Sequence, residues 1–152
     1  MIDVRDATAA DAAALAELRW EFRAGRVAPI ETHDAFIARC ADWMRRELAP
    51  GRAWRAWVAC SDVQIVGQVW LRLLEKVPNP VGEREGHAYL SNLYVRPDAR
   101  GGIGTRLLQS AVAWAKLNAV DRVVLWPTSR SVTLYERAGF TFRGEVMELK
   151  CE

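Results

Sequence analysis

The sequence predicts a single α/β domain, and three observations carry that expectation. Amphipathic helical patterns and short apolar runs follow one another along the chain. Breaks rich in Gly, Pro, Ser and Asp separate most of them. One apolar run, His87 to Val95, passes through Arg96-Pro97-Asp98 and a glycine cluster straight into a helical pattern. At 152 residues the chain is long enough for one core.

The elements follow in order. Ile2–Arg5 reads as an opening strand. Thr8 and Asp11 have capping-box spacing and start a helix that runs to about Arg23. Leu15, Leu18 and Phe22 form its core stripe, with Glu17, Trp20 and Glu21 on a neighbouring face. Gly25 and Pro29 interrupt it. A second helix, His33 to Leu48, carries Phe36, Ile37, Cys40, Trp43 and Met44 at helical spacing and stops at Pro50-Gly51. Trp54–Cys60 and Gln64–Val77 read as a hairpin turning at Ser61-Asp62. Pro78–Gly86 is a loop, because its two prolines and two glycines do not suit a sheet interior. A strand His87–Val95, a helix Gly104–Asn118 and a strand Arg122–Trp126 come next. A short helix from about Ser129 to Ala138 follows Pro127, with Thr128 or Ser129 as cap and Gly139 just past its end. Phe142–Lys150 is expected to be the last strand.

Composition excludes several classes. The net charge is +2, and the arginines alternate with Asp and Glu, so no nucleic-acid partner is expected. No uncharged run approaches the ~20 residues of a membrane helix, and the N-terminus lacks a signal-peptide pattern. A cytoplasmic protein without membrane partners is expected. Cys40, Cys60 and Cys151 are odd in number and far apart, and read as free thiols. His33 and His87 have no partners at metal-ligand spacing, so no metal is expected.

The chemistry concentrates between Tyr89 and Thr105. A strand–glycine loop–helix unit aims several backbone N–H groups, at the positive end of a helix dipole, at one point suited to phosphate. Glycine there lets the backbone approach the anion. Taken alone, the turn reads better as a tight connection that binds nothing. A dinucleotide fold would need an earlier loop with Gly-x-Gly-x-x-Gly spacing.

With the later segment Leu134-Tyr135-Glu136-Arg137-Ala138-Gly139-Phe140, this loop resembles the GNAT superfamily of acyl-CoA-dependent N-acyltransferases. The resemblance covers nearly the whole chain. It implies a mixed, mostly antiparallel sheet flanked by helices. Strands His87–Val95 and Arg122–Trp126 would be parallel neighbours that splay near Val95 to open an acyl-CoA cleft. It also implies acetyl-CoA as cosubstrate. By resemblance, Arg100, Gly101, Gly102, Ile103, Gly104 and Thr105 hold the pyrophosphate, and the backbone of Leu93, Tyr94 and Val95 holds the pantetheine arm. Thr128 and Ser131 stand where the family often has Asn-x-x-Ala. One departure is visible: Arg100-Gly101-Gly102-Ile103-Gly104 is one residue tighter than the usual loop. If Gly102 and Gly104 take the two glycine positions, Ala99 stands where the family has Arg or Gln. The alternative is that Arg100 slides into that role or the loop is shortened.

Tyr135 is the expected catalytic donor to the leaving sulfur; the alternative is an aromatic wedge that packs the short helix. A neutral acceptor amine calls for a base or a water chain. Glu21 leads the candidates, ahead of Glu17, Glu31, Glu75, Glu85, His87, Tyr89 and Tyr94. Trp20, Glu21 and Trp70 are expected to form an aromatic and acidic acceptor wall, with Trp126 a second aromatic candidate. Asn92, polar within an apolar strand, would orient substrate or pin a bulge. The pocket is expected between the first two helices, the hairpin Trp54–Val77 and the loop Pro78–Gly86. The implied function is acetyl transfer from acetyl-CoA to a primary amine of a small molecule. The alternatives are a non-catalytic acyl-CoA sensor and a peptide or protein N-acetyltransferase. A homodimer is compatible with the sequence.

Overall fold

A computed structural model describes residues 1–99 and 101–151. Five strands form one sheet in chain order: β1 (Ile2–Asp6), β2 (Trp54–Ser61), β3 (Gln64–Glu75), β4 (Gly86–Val95) and β5 (Val120–Val124). β1 to β4 pair antiparallel, and β4 pairs parallel with β5. The helices are α1 (Ala12–Ala24), α2 (His33–Glu47), α3 (Ile103–Leu117) and α4 (Val132–Arg137). The expected mixed, mostly antiparallel sheet with a parallel β4–β5 pair is therefore present.

The central strand shows why the layers form. Val66, Gln68, Val69, Trp70 and Leu71 are all buried, because both faces of β3 are covered. On one face α1 and α2 pack Leu15, Ala16, Ala41 and Met44 against Val58 and Trp70. On the other, α3 packs Leu107, Leu108 and Ala111 against Val69, Leu71, Ala88 and Leu90. Gln68, fully buried, is satisfied on the α1 face. Its Nε2 donates to the Leu15 carbonyl at 3.2 Å, and its Oε1 accepts the Trp70 indole N–H at 2.8 Å.

Three elements differ most from expectation, and the first is α4, which begins at Val132 with Ser131 as N-cap instead of near Ser129 with Thr128 or Ser129 as cap. β5 begins and ends two residues earlier than the apolar pattern suggests, since Ala119 takes φ 58° and turns the chain straight from α3 into the strand. Phe142–Lys150 is not a strand. It has alternating apolar residues but no ladder partner, and Phe142, Val146, Met147 and Leu149 lie exposed. Phe140 is the last residue packed on the α3-side core. Beyond it, Glu145 meets Arg143 at 2.9 Å and Arg122 of β5 at 3.6 Å.

Candidate active site

The cleft begins where β4 and β5 part. Their register runs from Gly86↔Val120 to Tyr89↔Val124 and stops there, so the strands separate earlier than Val95. Among the described residues, the β5 side of β4 has no strand beside it from Leu90 onward. Asn92 adds a second distortion. It takes φ 58°, a left-handed conformation that Asn tolerates, where the β3–β4 register shifts between Gln68 and Trp70. The extra residue alters the alternation of side chains. Leu90, Leu93 and Val95 join the α3-side core, while Tyr94 stacks on Phe22 of α1 with ring centroids 5.1 Å apart.

Glycines shape the far wall. Gly101 and Gly102 have φ 135° and 86°, conformations closed to most side chains, and a Cβ on either would meet nothing within 4 Å. Gly102 is the N-cap of α3, and the Arg106 N–H bonds its carbonyl at 3.1 Å. The N–H groups of the turn before Arg106 have no intrahelical acceptor, and Gly102, Gly104 and Thr105 of that turn line the cleft. Ala99, which stands where the family has Arg or Gln if Gly102 and Gly104 take the two glycine positions, packs against the core. Arg100 lies outside the described residues.

α4 closes the third side. The Thr128 N–H donates to Ser131 Oγ at 3.0 Å, and the Ser131 N–H returns to the Thr128 carbonyl at 3.0 Å. That reciprocal turn presents Leu134 and Tyr135 to the cleft. Gly139, with φ 97°, then folds the chain back, and the Phe140 N–H bonds the Tyr135 carbonyl at 3.0 Å. The two rings meet edge to face at 5.7 Å. Burial pushes the Tyr135 phenol above its ordinary value, so it stays protonated through neutral pH.

The resulting cleft measures about 530 Å³, within the range of small-molecule sites. It brings together Leu93, Tyr94 and Val95, the loop residues Gly101, Gly102, Gly104 and Thr105, and Thr128, Ser131 and Tyr135. Asn92 lines it too. Ile103 turns its side chain into the core and offers only backbone.

The expected acceptor wall is not there. Trp70 is 2% exposed and holds the α1–α2 core together. Trp20 packs against His33 and Phe36. Glu21 is held by Arg96, whose Nη2 donates at 2.8 Å and whose Nε lies within 3.1 Å. None of the three lines the cleft. Glu17 pairs with His33, Glu31 with Arg39, and His87 with Asp121. The loop after β3 joins the other end of β4, where Lys76 bridges to Glu83. In place of the acidic wall, α1 contributes Arg19, Phe22 and Arg23, and the turn after it Arg26, joined by Tyr89, Ser91 and the exposed Trp126. The spacing of Arg19, Phe22 and Arg23, i, i+3 and i+4, was the available signal for one helix face.

Comparison with known proteins agrees with this geometry. Among solved structures, a predicted acetyltransferase with acetyl-CoA from Clostridium acetobutylicum matches with TM-score 0.80 and 23% identity, over 99% of this chain and 96% of that one. A GCN5-related N-acetyltransferase from Ralstonia eutropha JMP134 matches with TM-score 0.79 and 24% identity over 99% of both. Glucosamine-6-phosphate N-acetyltransferase from Arabidopsis thaliana matches with TM-score 0.74 and 15% identity, over 100% of this chain and 99% of that one. No curated protein matches significantly. Among the described residues no helix is long and apolar enough to cross a membrane. The model of the acetyltransferase (GNAT) family matches residues 13–140, so the chain, with its parted β4–β5 pair and glycine-capped α3, belongs to the GNAT family of N-acetyltransferases.

Proposed function

We propose that the protein moves an acetyl group from acetyl-CoA to a primary amine of a small molecule, by direct attack of the amine on the thioester. The observation that carries this reading is the convergence of three features in one cleft: the parted end of β4, the first-turn amides of α3 and the Tyr135 phenol. The acetyl-CoA of the Clostridium structure and the phosphorylated amino sugar named for the Arabidopsis enzyme both support it.

The amides at Gly102, Ile103, Gly104 and Thr105 would hold the pyrophosphate, where charge-assisted N–H bonds add to the helix dipole. Thr128 and Ser131 border the same cofactor side. The backbone of Leu93, Tyr94 and Val95 would bind the pantetheine arm as a partial strand, needing no particular side chains. In the transfer, the amine nitrogen bonds to the carbonyl carbon and the C–S bond breaks. The proton lost by nitrogen balances the one gained by sulfur. A phenol raised by burial is a poor acid against a thiol of ordinary pKa ≈ 8.5, so Tyr135 serves as a hydrogen-bond donor to the developing thiolate. Among the described residues no carboxylate lines the cleft, and proton removal from the amine falls to water or to the amine's own equilibrium. Rate would come mostly from holding thioester and amine in line.

The test is release of free thiol from acetyl-CoA on addition of an amine panel, measured above hydrolysis. Tyr135→Phe should lower kcat by about 10- to 100-fold with acetyl-CoA affinity nearly unchanged. Acetyl-CoA binding without amine-dependent release would instead mark a sensor. Equal loss of kcat and affinity would make Tyr135 a packing residue.

A further inference from the structure

We propose that the acceptor amine also carries an anionic group, a carboxylate or a phosphate, seated on the arginines at the end of α1 and in the turn after it. The inference rests on the transfer reading above and names the class of its substrate. Its first support is the grouping at the cleft of arginines without a carboxylate partner. Arg5, Arg39, Arg46, Arg52 and Arg96 each hold a carboxylate within ion-pair distance. Arg19 and Arg23 of α1 and Arg26 in the turn after it hold none among the described residues; Arg45, Arg72, Arg84, Arg106, Arg130 and Arg137 hold none either, but Arg19, Arg23 and Arg26 stand together on one wall of the cleft.

Arg19 is the most telling. It is half-buried, and its Nη1 donates to Asn92 Oδ1 at 3.2 Å. A neutral amide orients the guanidinium without cancelling its charge. Burial and the neighbouring Arg23 both weigh against that charge. A partly desolvated cation beside a like charge is unfavourable until an anion completes it. The guanidinium fork suits a planar carboxylate or a phosphate in bidentate contact.

The surroundings point the same way. Arg26 lies over the Phe22 ring at 4.8 Å and Arg19 over it at 5.8 Å, with the ring itself stacked on Tyr94. The aromatic pair braces two cations at the cleft wall. That wall belongs to the α1 face of the sheet, whereas the glycine-capped N-terminus of α3 stands on the opposite face, beside α4. Each face thus has its own anion-binding apparatus. Asn92, at the bulge of β4, ties Arg19 to the strand that borders both.

The test uses matched ligand pairs that differ by one anionic group: an α-amino acid against its carboxamide, and an amino sugar phosphate against the free amino sugar. Binding is measured calorimetrically in the presence of saturating coenzyme A, on the wild-type protein, Arg19→Gln and Arg19→Lys. The anionic member of at least one pair should bind about tenfold more tightly or better. Which pair shows the gap separates carboxylate from phosphate. Arg19→Gln should erase the gap and leave acetyl-CoA affinity within about twofold, and Arg19→Lys should keep part of it. Three results overturn the inference: equal binding within both pairs, no binding by any member, or loss of acetyl-CoA affinity matching the loss of acceptor affinity. The last would assign the arginines to the cofactor's phosphates. A binding gap with no acetylated product supports the anion seat and counts against the transfer reading alone.

Discussion

Asp11 ties down the start of α1, the helix that carries Arg19. Its carboxylate accepts the Thr8 N–H at 2.8 Å and two Arg5 guanidinium bonds at 2.9 Å. The bond from Arg5, ahead of the Thr8 N–H, holds this carboxyl below its ordinary value. A depressed folded-state pKa contributes stability that is present above the unfolded value and lost as pH falls through the folded one. Asp11→Asn should therefore cost about 1–2 kcal/mol at pH 7, with the gap to wild type narrowing below pH ~4. Urea melts at pH 7 and pH 3 check this, and a gap of constant size would trace the loss to packing instead. The pairing of Thr8 with Asp11 was legible in the sequence because a cap is local. The partner of Glu21 was not, since Arg96 stands 75 residues away. No periodicity shows that a carboxylate on the expected face is already engaged. Trp70 misled for a related reason: an aromatic in a strand reads the same whether it floors a pocket or fills a core covered on both faces.

Between elements, the tightest fit is at Gly67. A Cβ there would meet Leu107 Cδ1 at 3.1 Å, the Tyr94 carbonyl oxygen at 3.2 Å and Val95 Cγ2 at 3.2 Å. α3 and the end of β4 thus approach β3 as closely as a bare backbone allows. Gly67→Ala should destabilise the fold by about 1–3 kcal/mol and weaken acetyl-CoA severalfold, because both displaced elements border the cleft. Gly82→Ala is the control. Its Cβ would meet nothing within 4 Å, and neither quantity should move. Thermal melts and titration with acetyl-CoA read both effects. Unchanged acetyl-CoA affinity in a destabilised Gly67→Ala protein would show that the cradle does not depend on this contact. At this scale the sequence read well, since α2, α3 and the β2–β3 hairpin declare themselves by period and by turn residues. The C-terminal segment did not. Alternation reports which residues could face a core, never whether a neighbouring strand exists to pair with.

In the whole molecule, the proposed transfer divides the work between the two faces of the sheet, with α3 and α4 assigned to the cofactor and α1 to the acceptor. The cleft between them is lined, among the described residues, by arginine, aromatic, hydroxyl, amide and aliphatic side chains, with no Asp, Glu, His or Lys. Nothing on that wall is a proton acceptor of the usual kind. Yet three guanidiniums on one wall set up a positive potential, and a like charge nearby lowers the pKa of an ammonium. Where most sites would place a base to take the proton, this one makes the proton easier for water to remove. The pH profile of kcat should then rise with a single limb, set by the bound acceptor amine and displaced below its value in free solution. Tyr135, held protonated by burial, adds no falling limb at neutral pH. Arg19→Gln should move the rising limb toward the free-amine value, an effect that a residue acting only through packing would not produce. A limb that stayed in place would mean the amine reaches the thioester without having felt the arginines at all.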